Sequence, residues 1–330
     1  MKKTICILLA VLLSFTMAIP ALAATEGGSF GAYKHVFIIG VDGAGRFFNE
    51  TDTPNFDRIF ADGAVTYKAR AEIITTSAQN WGSILTGVSY KTHGLTNGIT
   101  GENERASDTA YPSIFTYARQ AMPDAELASF VNWNNINYGI IENDIGVNKQ
   151  DVQDDEKLTD AIVDYFDAGN SPSLFFVQFD SVDHVGHGDG SKAESYFAQI
   201  RTIDGYIGRV YDAIERAGLM KDGLFIVTAD HGHTIDGGHG GLTMRETNVM
   251  LALKGRTVRV GTPDKASRNR DVAAIALYAL GIERPAHMSA MVPGGVFADH
   301  PGEKRSFKAD PLDAFLSALS WILTLITAPF

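Results

Sequence analysis

Three short stretches of this chain each set acids, or acids with histidines, directly after a run of apolar residues. In LFIVTADHGHTIDGGHGG, Leu224 to Gly241, the run Leu224–Val227 leads to Asp230 and His231, and His233 and His239 follow among glycines. Leu174–Phe179 is followed by Asp180, Asp183, His184 and His187, and His35–Val41 ends in Asp42. Carboxylate oxygens with imidazole nitrogens are the donors that zinc or a similar divalent ion takes. They form two sets of three: Asp42 with Asp230 and His231, and Asp183 with His187 and His239. Each set leaves a position for a substrate. Asp183 and His187 are four apart, so a helical turn puts both on one side. His184 and His233 are spare by this reckoning, although His233 competes with His239.

Two adjacent divalent ions suit an in-line displacement at phosphorus, because they stabilise the attacking and the leaving oxygen together. A hydroxyl at such a site becomes a nucleophile at neutral pH. Ser77 is the leading candidate. It opens a helix over Ser77–Thr86, where free N–H groups and the helix dipole favour an anion. A plain helix-capping role for Ser77 stands beside this reading.

The elements that must position these residues follow from the apolar pattern. Buried strands are expected at His35–Val41, Ala64–Ile74, Ala125–Val131, Leu174–Phe179, from Leu224, and at Val249–Leu253. Helices are expected from Pro54 with Thr53 as cap, over Ser77–Thr86, Pro112–Met122, Asp154–Phe166, Lys192–Ala217 and Asp271–Leu280. The acidic run Asp154, Asp155, Glu156 reads as a solvated helix start. Strands alternating with helices predict an α/β fold, three layers with a central, mostly parallel sheet. In such sheets ligands bind outside the carboxyl ends of the strands. Three strands that end in acids should therefore bring those acids together at one edge.

Lys2 and Lys3 precede an apolar run, and Ala21-Leu22-Ala23 forms an A-x-A cleavage site, which predicts a signal peptide over 1–23 and an exported protein. The single cysteine, Cys6, lies within it. Residues 24–310 make one domain. The apolar tail 311–330 is short for a membrane span and suits either docking on the fold or contact with a membrane surface. A formal charge of −11 argues against a nucleic-acid binding module. It does not exclude a phosphate ester whose charge bound metal ions would meet.

The order of the motifs resembles the alkaline phosphatase superfamily, in its type I phosphodiesterase/nucleotide pyrophosphatase branch. The matching pieces are Val41-Asp42-Gly43, Thr53-Pro54-Asn55-Phe56-Asp57, SAQNWGSILTGVSYKTHG from Ser77, Asp183-x-x-Gly186-His187, and Ala229-Asp230-His231-Gly232. The segment Asp271–Pro285 resembles the family's closing helix. The resemblance implies an alkaline-phosphatase-like fold and a covalent phospho-enzyme on Ser77, with Thr76 the alternative because many relatives use Thr. It implies that Asn80 binds a phosphoryl oxygen. It places Asp42, Ser77, Asp230 and His231 on one ion and Asp183, His187 and His239 on the other. Ser77 lacks the following Pro and Arg of a sulfatase, and the chain has no room for the inserted domain of a cofactor-independent phosphoglycerate mutase.

The expectation is thus an exported hydrolase of phosphoric esters using two divalent ions, Zn2+ or Mn2+. Its substrate would be a small phosphodiester or nucleotide pyrophosphate. A phosphomonoesterase on the same site, or a weakly catalytic metal-binding envelope protein, are the alternatives.

Overall fold

Unbroken runs of β-branched and aromatic residues build the middle of the protein. The structure is a computed structural model that describes residues 28–264 and 267–303, together with Phe315, Leu319 and Ile322. The expected signal peptide, and the tail apart from those three positions, lie outside the described residues. Seven strands, β1 (His35–Val41), β2 (Ala64–Arg70), β3 (Leu127–Val131), β4 (Asn148–Asp151), β5 (Leu174–Phe179), β6 (Gly223–Thr228) and β7 (Asn248–Lys254), form one sheet in the order β2-β7-β6-β1-β5-β3-β4. The pairs β6-β1, β1-β5, β5-β3 and β3-β4 are parallel, whereas β7 and β2 run antiparallel at one edge. Every residue of β3, β5 and β6 is buried, as expected of strands covered on both faces.

The longer helices are α1 (Pro54–Phe60), α2 (Ser77–Thr86), α3 (Ile114–Ala121), α4 (Asp155–Asp167), α5 (Ser181–Asp189), α6 (Glu194–Arg216) and α7 (Asp271–Ala279). One group packs around α6, which touches α1, α4 and α5, and a second around α7, which touches α2 and α3. The three-layer α/β arrangement expected from the alternation is present. None of the described helices is long and apolar enough to cross a membrane.

Apart from ends that shift by one or two residues, one boundary and one strand differ from the sequence reading. Strand β2 stops at Arg70 rather than Ile74, because the chain must leave the sheet there to reach α2. The Ala71 N–H still reaches Thr247 O, but Thr76 N–H already closes a turn onto Ile74 O. Strand β4, Asn-Lys-Gln-Asp, lies at the sheet edge with no apolar residue, so its pairing with β3 left no periodic signal.

The start of α1 shows a substitution of roles. Thr53 makes no side-chain cap and instead donates its hydroxyl to Phe48 O. The cap comes from α6, where Asp204, 1% exposed, accepts from Asn55 N at 3.0 Å, Asn55 Nδ2 at 3.1 Å and Phe56 N at 2.7 Å. A side chain at Gly208 would meet Asn55 Oδ1 at 2.4 Å, so glycine lets the two helices approach this closely. Replacing Asp204 by Ala strands buried donors at a helix start. We expect a loss of about 2–3 kcal/mol in urea unfolding, and a loss under about 0.5 kcal/mol would assign the anchoring of α1 to packing alone.

Candidate metal centre

The carboxyl ends of β1, β5 and β6 meet in the middle of the sheet, and the backbone ties them there: Asp42 N–H donates to Phe179 O at 2.8 Å. Asp42 follows β1, and Asp230 and His231 follow β6. Asp183 and His187 lie one turn apart on α5, which starts directly after β5. His233 and His239 come from the glycine-rich segment after β6. The structure brings all six expected metal-binding acids and histidines together. Among the described residues, three overlapping groups have donor atoms within 4.8 Å of one another: Asp42, Asp230 and His231; Asp183, His187 and His239; and Asp183, His231 and His233.

Asp42 and Asp230 each divide their two oxygens between scaffold and site. Asp42 Oδ2 accepts from Trp81 Nε1 at 2.8 Å and from Gln178 Nε2 at 3.0 Å. Asp230 Oδ1 accepts from Gly43 N at 3.1 Å and from His231 N at 2.8 Å. The remaining oxygens, Asp42 Oδ1 and Asp230 Oδ2, are buried and accept no hydrogen bond. Both face His231 Nε2, at 3.5 and 3.2 Å. His231 Nδ1 lies 3.2 Å from Gly232 O, which fixes the hydrogen on Nδ1 and leaves Nε2 bare. Ser77 Oγ is 3.3 Å from the same Nε2. Lone pairs that converge in a dry site are costly unless a cation lies among them. The donor set therefore fits a divalent ion, with Asp42, Asp230, His231 and Ser77 around it.

The second set shows the same logic. His239 Nδ1 donates to Thr75 O at 2.5 Å, and its Nε2 lies 3.1 Å from His187 Nε2. His187 Nε2 is 3.2 Å from Asp183 Oδ2. An outer partner on Nδ1 is the usual companion of a ligating Nε2. Thr75 also receives Gly240 N on its hydroxyl, and Glu246, buried, receives Gly241 N, so the glycine-rich segment is held against the turn before Ser77.

Burial, then the negative charges of Asp230 and Asp183, push the Asp42 carboxyl well above the ordinary carboxylate value. Burial, then Asp183, does the same to Asp230. Burial opposes the charge on Asp183 too, but hydrogen bonds to His187 and His233 outweigh it and hold that carboxyl low. Burial and neighbouring imidazoles lower His231, burial lowers His239, and the hydrogen bond to Asp183 raises His187.

Ser77 is the first residue of α2, with Thr76 at the cap position making no side-chain cap bond. Asn80 does not reach the site. It is fully buried, both amide hydrogens go to Ile74 O and Thr76 O, and its Oδ1 accepts from Glu72 N and Asn269 Nδ2. With no donor left, Asn80 holds the turn before Ser77 instead of binding a phosphoryl oxygen. Asn97 is the residue the sequence reading overlooked: its Oδ1 accepts Ala78 N at 2.9 Å, which sets a side-chain amide beside the start of α2. It lies in a stretch with no apolar period to mark it. His184 is exposed, and Arg46 turns to Glu50 at 2.6 Å.

Asp155 also corrects an expectation. Asp154 is the solvated cap of α4, accepting from Lys157 N, but Asp155 is buried. It accepts from Asn132 Nδ2, Asp180 N, Ser181 N and Ser181 Oγ, and so anchors the start of the helix that carries Asp183 and His187. Trp81 is a comparable brace. A side chain on Gly40 of β1 would meet its ring at 2.3 Å, so glycine there lets the indole lie on the strand and reach Asp42.

Residues 36–237 match the family model described as type I phosphodiesterase / nucleotide pyrophosphatase. Murine ectonucleotide pyrophosphatase / phosphodiesterase 5 has a similar fold, with a TM-score of 0.64 and 14% identity, over 77% of this chain and 96% of that one. A phosphonate monoester hydrolase from Silicibacter pomeroyi is similar with a TM-score of 0.62 and 13% identity, over 78% of this chain and 75% of that one. A GPI ethanolamine phosphate transferase 2 from Aspergillus oryzae is 32% identical over 79 residues, which are 24% of this chain and 9% of that protein. The chain thus spans only a small part of that curated relative.

The pKa directions predict how metal removal depends on pH. Above the ordinary histidine value of 6.5, His231 and His239 have already lost their protons both folded and unfolded. Asp42, Asp230 and His187 hold protons more tightly folded than unfolded, so raising the pH favours unfolding of the stripped protein. Ligands are also freed of protons as pH rises, which strengthens metal binding. The gap in melting temperature between zinc-loaded and stripped protein should widen between about pH 6.5 and 8.5. A gap that stays constant or narrows would mean that these groups do not bind the ion.

Proposed function

Because the chain belongs to the type I phosphodiesterase / nucleotide pyrophosphatase family, we propose that it hydrolyses phosphoric diesters or nucleotide pyrophosphates through a covalent intermediate on Ser77. The observation that carries this reading is the position of Ser77 Oγ, at the first turn of α2 and 3.3 Å from the bare Nε2 of His231, beside two buried carboxylate oxygens without partners. Asp42, Ser77, Asp230 and His231 would hold one divalent ion and Asp183, His187 and His239 the other, zinc or manganese, and the pair would supply positive charge to acidify a hydroxyl or water and offset phosphoryl charge.

The remaining work falls to the chain. Ser77 Oγ forms the new bond to phosphorus as the bond from phosphorus to the leaving oxygen breaks. Water then cleaves the phospho-serine and restores the hydroxyl. The N-terminus of α2 favours the negative charge of the bound group, and the Asn97 amide, whose Oδ1 accepts from Ala78 N, would steady a phosphoryl oxygen. Thr75 fixes the His239 ring, and Trp81 and Gln178 hold Asp42. Arg46 and Arg270 are engaged with Glu50 and Glu72. A monoester carries one more ionisable oxygen than a diester, so a site with no further cation beside the metals would favour the diester. The sequence of residues 1–23 supports export of the enzyme.

The test is turnover of bis-p-nitrophenyl phosphate against p-nitrophenyl phosphate by stripped protein reloaded with zinc or manganese. Activity should return with metal and prefer the diester. Preference for the monoester would make the protein a monoesterase, and no turnover of either ester would leave the metal-binding alternative. Ser77→Ala should keep its metal, lose at least about a thousandfold in kcat/KM, and give no phosphorylated Ser77 peptide on rapid quenching. If Ser77→Ala stays active while Thr76→Val is dead, Thr76 is the nucleophile.

A further inference from the structure

Four imidazoles crowd one carboxylate. His187 Nε2 lies 3.2 Å from Asp183 Oδ2, while His233, His239 and His231 present Nε2 to Oδ1 at 2.9, 3.5 and 4.0 Å. The ring nitrogens sort them. His231 and His239 each set Nδ1 against a backbone carbonyl, of Gly232 and Thr75, which leaves Nε2 bare and suited to a cation. His233 is arranged the other way. It is fully buried, and among the described residues its Nδ1 has no hydrogen-bond partner. Were His233 Nε2 a metal ligand, Nδ1 would carry the hydrogen and become a buried donor without an acceptor, at a cost of about 1–3 kcal/mol. A bare Nδ1 is the less costly state, because buried acceptors go unpaired more readily than buried N–H groups.

We infer that His233 is a positioning residue, whose Nε2–H donates to Asp183 Oδ1 and fixes the rotation of that carboxylate, rather than a third imidazole ligand. Two glycines shape the space for it. A side chain on Gly43 would meet His233 Nε2 at 2.7 Å, and one on Gly186 would meet its Cδ2 at 2.5 Å. The ring is therefore clamped between the turn that follows Asp42 and the helix that carries Asp183. With Oδ1 engaged, Asp183 offers Oδ2 on the side of His187. The word ligand in this inference rests on the two-ion reading above, but the hydrogen on Nε2 does not.

The experiment is long-range proton–nitrogen correlation of 15N-histidine-labelled protein, first metal-free and then with zinc alone, with His233→Gln assigning the resonance. His233 should show the Nε2–H form in both states, while His231 and His239 show the Nδ1–H form and shift at Nε2 when zinc is added. His233→Gln keeps a donor, so it should hold two zinc ions at close to the wild-type affinity. His233→Phe fills the space without a donor and should weaken one of them by about ten- to a hundredfold. A zinc-induced shift at His233 Nε2, an Nδ1–H form in the metal-free protein, or equal losses in the Gln and Phe variants would overturn the inference. If wild-type protein takes up no zinc, the two-ion reading fails, and the metal-free spectrum still decides which nitrogen of His233 bears the hydrogen. If His233→Phe does not fold, the two wild-type spectra decide alone.

Discussion

Everything in this fold answers to one electrostatic problem: three carboxylates, those of Asp42, Asp183 and Asp230, are held close together at the edge of a sheet, two of them entirely out of water. Like charges in such a place repel strongly, and burial deprives them of solvent. Among the described residues the chain pairs these carboxylates with histidines and with no Lys or Arg. It gives one oxygen each of Asp42 and Asp230 to the scaffold and leaves the other facing the bare nitrogen of His231. That division fixes the direction of the free lone pairs before any ion arrives.

The supports are polar and come from far along the chain. Asp155 anchors the start of α5, Asp204 the start of α1, and Glu246 the glycine-rich segment that carries His239. Asn269 joins Asn80, on α2, to the backbone oxygen of Asp230 at the end of β6, so the helix that opens with Ser77 and the strand that delivers Asp230 share one hydrogen-bond network. Next to it the Arg270–Glu72 pair, at 2.7 Å and almost fully buried, braces the turn between β2 and α2. Removing one partner of such a pair leaves an uncompensated buried charge, so either loss would disturb the turn before Ser77.

Much of this could be read from the residues in order. Strands β1 and β5, and helix α2, begin and end where the apolar runs and the following glycine put them, because burial on both faces writes a continuous pattern. Three acids after three strands also foretold a common edge. What stayed hidden has one character: a polar side chain whose partner is distant in sequence. Asp155 looks like any acid at a helix start until Ser181 is seen against it, and Asn80 looks like a site residue until its four hydrogen bonds are counted. His233 and His239 share one glycine-rich stretch, and only their opposite ring environments tell them apart.

The position of β1 carries a consequence for how the protein is made. It is the first strand among the described residues, yet its two neighbours in the sheet are β5 and β6, which begin at Leu174 and Gly223. Contacts between such distant parts of a chain form slowly, since a long loop must close before they repay its entropy. The strand that delivers Asp42 must wait, unpaired and apolar, until most of the polypeptide exists. The cluster of acids is consequently completed late: a growing or truncated chain that ends before β6 contains Asp42, Ser77 and Asp183 but neither Asp230 nor His231.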